Sequence, residues 1–147
     1  INMSDKYINF EIVTPERVVL KEEITQITVP TKLGEITVLP NHIPLVSILM
    51  PGVIHIKRKD GEDEIMSVSG GFLEVLKDKV VILADMAERA EELDLDRAEE
   101  ARKRAAEFKE KARRGENVDF TEVNAAIERE LARTKAVKRW RKLKNIE

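Results

Sequence analysis

The 147-residue chain contains no cysteine, which excludes disulfide staples and thiolate metal sites together. Aromatic residues make up only 4% of it, so a core here must be built from aliphatic side chains rather than large rings. Histidine is nearly absent too. His42 lies in a loop pattern and His55 in a strand pattern, and two such isolated imidazoles offer no metal-ligand spacing; no metal is expected to be required. The longest apolar stretch, "IPLVSILMPGVI", is broken by Pro44 and Pro51 and falls well short of the roughly 20 residues that cross a bilayer. No basic-then-apolar leader opens the chain, so neither a secretory signal nor membrane insertion is expected. The glycines of "SGGFLE" lack the spacing of a phosphate-binding loop. No serine sits in a nucleophile elbow, and the scattered carboxylates define no acid–base pair. Catalysis by this chain alone is not expected, and the composition fits a soluble, cytoplasmic protein.

What the chain has is charge and aliphatic bulk. Hydrophobic residues account for 42% and charged residues for 37%, enough for one ordinary domain or a small domain with an appendage. The charge is unevenly spread. Residues 1–86 hold nine Lys and Arg against thirteen Asp and Glu, whereas 129–147 holds eight against two. A basic tail on an acidic body calls for an acidic partner.

Up to about residue 86 the apolar pattern has period two. "YINFEIV" puts Ile8, Phe10 and Ile12 on one face, and "TQITV" groups Thr25, Ile27 and Val29. Further short runs follow, separated by turn signals at Thr14-Pro15, Leu33-Gly34, Pro40-Asn41, Pro51-Gly52, Asp60-Gly61, Gly70-Gly71 and Asp78. Asp60-Gly61 reads as a two-residue hairpin turn with positive φ at both central positions. Eight or nine strands at this spacing predict an antiparallel sandwich or barrel. "PLVSILM" and "KVVILAD" are apolar on both faces, so each lies centrally or turns its second face to another protein.

After Ala87 the period becomes helical. Leu93, Ala101, Ala105, Phe108 and Ala112 form one stripe, ending at Gly115, a residue suited to the left-handed cap. Acids lead this segment and bases close it, matching the helix dipole. Asp119 caps a second helix, with Glu122 three residues on and Val118 placed to staple to Val123. Its stripe runs through Val123, Ile127, Leu131 and Thr134 toward Val137 and Trp140. The short connection folds the two helices into an antiparallel hairpin. The fold class is therefore α+β in two domains: a sandwich over 1–86 and a helical hairpin over 87–147. Alanines dominate the expected helix–helix contact, Ala98, Ala101, Ala105 and Ala112 against Ala125, Ala126, Ile127 and Leu131. Alanine buries little area, and its helix propensity keeps each helix formed when the partner leaves. Such a hairpin reads either as an ordinary alanine-rich pair or as a two-state latch.

The order of elements, together with "FEIVTPERVV", "GEITVLPNHIPLVSIL", "SGGFLEV" and "AERAEELDLDRA", resembles the ε-subunit family of the bacterial F-type ATP synthase over Lys6 to Arg141. The resemblance implies a non-catalytic, regulatory and coupling part of the rotor stalk, peripheral at the cytoplasmic face of the cell membrane. It implies a sandwich that binds the γ subunit and sits on the c-subunit ring, with the loop of Pro40, Asn41 and His42 facing that ring. It also implies helices that either fold against the sandwich or extend into the catalytic α/β hexamer, where they inhibit ATP hydrolysis.

"LDLDRA" further resembles the ATP-binding pattern of bacillus-like members. Carried over position by position, Leu93, Asp94, Arg97 and Ala98 match that motif, and Arg104 matches a later arginine of the first helix. Arg129 and Arg133 match the pair of the second, and Glu88 and Arg89 the approach segment. ATP is thereby implied as a regulatory ligand that favours the folded, non-inhibitory form. Spacing agrees: Arg97 and Arg104 share a helix face, as do Arg129 and Arg133, and guanidinium forks bind phosphate bidentately. Without an anion the four charges are expected to repel, so ligand and folded hairpin stabilise each other. The plainer alternatives are an N-cap for Asp94 and pairing of the arginines with Glu100, Glu107 or Glu130. A different class, a sandwich adapter whose basic tail binds nucleic acid or another acidic partner, competes. No base-stacking platform accompanies the tail, so nucleic acid is not the expected partner.

Overall fold

The computed structural model describes residues 6–93, 95–115 and 119–145, with the backbone alone for 95–98. The expected roles of Asp94, Arg97 and Ala98 at the site, and of Val118 as a staple, fall outside the described residues or side chains.

Nine strands come first: β1 (Ile8–Val13), β2 (Val18–Thr31), β3 (Gly34–Val38), β4 (Leu45–Leu49), β5 (Gly52–Arg58), β6 (Asp63–Val68), β7 (Gly71–Val75), β8 (Lys79–Ala84) and β9 (Ala87–Arg89). Two helices follow, α1 (Leu95–Arg113) and α2 (Phe120–Leu143). The strands pair in the order β1-β8-β7-β4-β2-β5-β6-β9, with β3 on β2 and β1 also on β2. The β1–β2 pairing closes the first five into a ring, and β5, β6 and β9 extend from it. The fold is thus a β-sandwich followed by a helical hairpin. All pairings are antiparallel except β1 with β8. Those two strands stand at opposite ends of the sandwich sequence, so no hairpin turn dictates their relative direction.

Period-two burial closes the core. Ile8, Phe10 and Ile12 point inward beside Leu49, Leu73 and Ile82. Strand β2 departs from simple alternation. Thr25 was expected to share a face with Ile27 and Val29, but its pairing with β5 skips it, and Ile24 and Ile27 are both fully buried. This bulge sits where β2 passes from β1 to β5, and the extra residue resets which side chains face inward.

The β5–β6 turn also differs from the expected one. Only Gly61 has positive φ (86°). The Gly61 amide donates to the Arg58 carbonyl (3.0 Å) and the Arg58 amide to that of Glu62 (2.9 Å). This is a type I turn followed by a left-handed glycine bulge, which needs one positive φ rather than two. The sheet also runs past residue 86, where the change of period set the boundary. Strand β9 pairs with β6 through Ala87, Glu88 and Arg89, a run too short to show a periodicity of its own.

The hairpin forms as antiparallel helices. Gly115 (φ 87°) ends α1, and the Asp119 carboxylate caps α2 by accepting from the Thr121 and Glu122 amides. Leu93 is not on the helical stripe as expected; it ends a single 3-10 turn at Ala90–Glu92 ahead of α1. The buried side of α2 keeps Val123, Thr134 and Val137 of the expected stripe but is broader than it and leaves out Leu131. Leu131 is 46% exposed and Ala125 is exposed, while Glu130, Ala132, Thr134, Ala136 and Val137 are buried. The cause is that α2 has two neighbours, α1 and the outer face of β5 and β6. Ala136 and Trp140 meet Val53, Ile65 and Ala90 in a small second core, separate from the 19 buried residues of the sandwich core.

One close backbone approach makes a test of the sandwich. A Cβ on Gly71 (φ 136°) would lie 2.1 Å from the Leu83 carbonyl oxygen, whereas one on Gly61 meets nothing within 4 Å. Gly71→Ala is expected to cost at least about 2 kcal/mol in urea unfolding, and Gly61→Ala only about 1 kcal/mol.

Candidate functional site

The distinctive chemistry lies along the seam where α2 crosses β6, β9 and the 3-10 turn. In β9, successive side chains point to opposite faces of the sheet. Glu88 stands opposite Ser67, on the face that α2 covers, and Arg89 stands opposite Met66, a core residue. Glu88 therefore meets α2. Its Oε1 accepts from Arg133 Nε (2.9 Å) and Nη2 (2.5 Å). The remaining nitrogen of that guanidinium, Nη1, donates to Glu130 one turn back on α2. Burial lowers the proton affinity of Arg133, but bonding to Glu88 and Glu130 more than offsets it and the net shift is upward. Glu130 is 7% exposed, and its second oxygen has no hydrogen-bond partner among the described residues; neither has the buried Nε of Arg129.

On the other face of β6, Glu64 is 4% exposed and lies 3.3 Å from both Arg58 and Arg89. Arg58 continues to Glu22 (2.7 Å) and Arg89 to Glu91 (3.7 Å). Burial raises the Glu64 pKa above the ordinary glutamate value, with Arg58 and Arg89 pulling it partly back. Folding thus favours the protonated acid, so its contribution to stability is present at low pH and lost as pH rises through the raised value. Glu64→Gln, which keeps the shape without the charge, is expected to flatten the stability curve between pH 4 and neutrality, as measured by urea midpoints. A variant curve parallel to that of the parent would refute this assignment.

The structure brings together only some of the residues that the resemblance assigned to a nucleotide site. Glu88 and Arg133 are in direct contact, and Arg129 lies one turn from Arg133 on α2. Arg89 points away from them, into the Glu64 cluster. Arg104 is exposed and lines a groove of about 290 Å³ with Phe108, Asp119, Glu122 and Ala126. It stands beside the first turns of α2, with Ala126 about 10 Å along the helix from Arg133. Leu93 is half-buried at the end of the 3-10 turn. Mutual repulsion does not describe Arg133: two carboxylates already neutralise it. The alternative pairing with Glu130 is present, and sequence spacing alone did not indicate that Glu130 is buried. Glu64 and Arg58 were missed, although an acid at the inward position of "EIMSV" was a usable signal.

Two other surfaces complete the description. The loop of Pro40, Asn41 and His42 turns through a left-handed Asn41 (φ 66°), and the His42 Nδ1 donates to the Ile43 carbonyl (2.7 Å). It borders a cleft of about 350 Å³ shared with Tyr7, Leu76 and Lys77. Across the outer face, Ile48, Phe72, Leu83, Val13 and Val18 stand in consecutive cross-strand pairs on β4, β7, β8, β1 and β2. Phe72, Leu83, Val18 and Ile48 are each about half exposed. Strands β4 and β8 are interior to the sheet order, yet their second faces remain open. Among the described residues no helix is long and apolar enough to cross a membrane.

Comparison with known proteins agrees with this architecture. Residues 7–90 match the family described as ATP synthase, Delta/Epsilon chain, beta-sandwich domain. The ATP synthase epsilon chain of Moorella thermoacetica is 44% identical over 129 residues, 88% of this chain and 95% of that one. The epsilon chain of Chloroflexus aggregans is 53% identical over 98 residues, 67% of this chain and 70% of that one. A chain in the Euglena gracilis mitochondrial ATP synthase, solved with OSCP, F1 and c-ring, shares the fold with a TM-score of 0.72 and 24% identity, over 86% of this chain and 79% of that one. With sandwich, hairpin and full-length relatives in agreement, the chain belongs to the delta/epsilon family of the ATP synthase, among its epsilon chains.

Proposed function

We propose that this chain is the regulatory and coupling subunit of the rotor stalk of an F-type ATP synthase, peripheral at the cytoplasmic face of a bacterial membrane, and that it performs no catalytic step itself. The observation that carries the reading is the unequal holding of its two parts. The sandwich has a 19-residue core, whereas the hairpin rests on it through four buried residues, Trp140 and the ion pairs Arg133–Glu88 and Lys144–Glu62. Each large aliphatic group buried at that joint contributes about 1.5–3 kcal/mol, so the joint can open while the sandwich stays folded.

The outer apolar row from Ile48 to Val18 is the surface for the γ subunit, since a contiguous exposed apolar face marks a protein contact. The loop of Pro40, Asn41 and His42 faces the c-ring. Phe108, Phe120 and Leu131, each roughly half exposed on the docked hairpin, supply apolar surface for the α/β hexamer once the helices extend, and the basic 129–147 segment steers that approach. In the docked form, Arg129 and Arg133 with Glu88, Leu93, Asp94, Arg97 and Ala98 form a nucleotide site, and ATP bound there favours docking by mass action.

In reconstituted complex, deletion of 129–147 is expected to raise ATP hydrolysis severalfold; an unchanged rate would defeat the inhibitory role. Phe72→Asp, on the exposed row, should leave the unfolding free energy of the isolated chain, measured in urea, within about 0.5 kcal/mol of the parent while abolishing co-purification with γ. Retained γ binding would place the contact elsewhere.

A further inference from the structure

The guanidinium of Arg133 is bonded along both edges before any ligand arrives. Glu88, from β9, takes Nε and Nη2, and Glu130, from its own helix, takes Nη1. A planar guanidinium binds a carboxylate or a phosphate through the same two-toothed edge, so these carboxylates occupy the positions that a polyphosphate would need. Glu130 is the unusual member. An acid three residues before an arginine on a helix is ordinarily a wet surface pair, but this one is 93% buried, with one oxygen that has no partner among the described residues. The Nε of Arg129, the residue before Glu130 and one turn from Arg133, is also buried and has no hydrogen-bond partner among the described residues, leaving a donor for an incoming oxyanion.

We propose that Glu130 is a resident anion of this latch: with Glu88 it holds Arg133 and keeps the hairpin docked without nucleotide, and a polyphosphate must displace its carboxylate to bind. This rests on the nucleotide reading above and adds to it that Glu130 sets the affinity. The arrangement has a sign that a merely structural role would not reproduce. If Glu130 only supported docking, its neutralisation would loosen the hairpin and weaken nucleotide binding together, because only the docked form binds. If it competes with phosphate, neutralisation loosens the empty hairpin and tightens binding.

The experiment uses the full chain and Glu130→Gln, with Glu130→Asp as the variant that keeps the charge. Trp140 is the only tryptophan and packs against the joint, so its emission in urea reports undocking, while far-UV circular dichroism reports the sandwich. ATP and inorganic pyrophosphate are titrated by calorimetry. In Glu130→Gln, Trp140 is expected to become exposed at lower urea while ATP binds about tenfold tighter, the size of one charge-assisted bond exchanged. Glu130→Asp should remain near the parent in both. Parent binding with equal or weaker affinity in Glu130→Gln would overturn the inference and leave the nucleotide reading standing. Absence of ATP binding in every chain would overturn both, and binding in Glu130→Gln alone would support both.

Discussion

The contact that joins the two parts of the chain is the ion-pair cluster of Arg133, Glu88 and Glu130, set beside a five-residue apolar patch. It is the place where a strand of the sandwich and a helix of the hairpin share buried charge. Breaking a buried pair leaves an unpaired charge and is costly, whereas replacing both partners is often neutral. A joint of this type therefore favours two discrete arrangements, one fully paired and one fully hydrated. The Trp140 patch adds apolar area at the same joint.

The sandwich provides the frame on which this joint is built. Its first five strands close into a ring through the β1–β2 pairing, and β9 adds the last strand and supplies Glu88 on the correct face. One residue of register is decisive here. Because β9 alternates, Glu88 reaches α2 and its neighbour Arg89 turns to Glu64. A slip of one position would exchange them and place two arginines in contact. The same alternation leaves the Ile48–Phe72–Leu83 row outside, so the face that covers the core and the exposed apolar face are written in the same strands.

The fold was largely legible in the residues themselves. Period-two patterning with turn signals located the strands, the shift to period 3.6 located the helices, and Gly115 and Asp119 marked the ends that face each other. The errors cluster where local pattern meets a tertiary demand. Strict alternation groups Thr25 with Ile27 and Val29 because it does not register a bulge, and a single stripe turns Leu131 inward because it assumes a single neighbour. The turn at Asp60-Gly61 was given the wrong type because the dipeptide fits two geometries, separated only by hydrogen bonds to Arg58 and Glu62.

The site followed the same division. By itself the sequence determined that Arg129 and Arg133 stand one turn apart on one helix, and it determined the propensity of both helices to stay formed, since these depend on spacing and residue type within a single element. Only the tertiary structure decided that Glu88 and not Arg89 reaches Arg133, that Glu130 is buried, and that Glu64 lies between two arginines. Those facts depend on pairing between segments distant in the chain. Burial and the proximity of charge are properties of such pairings, and no local spacing encodes them.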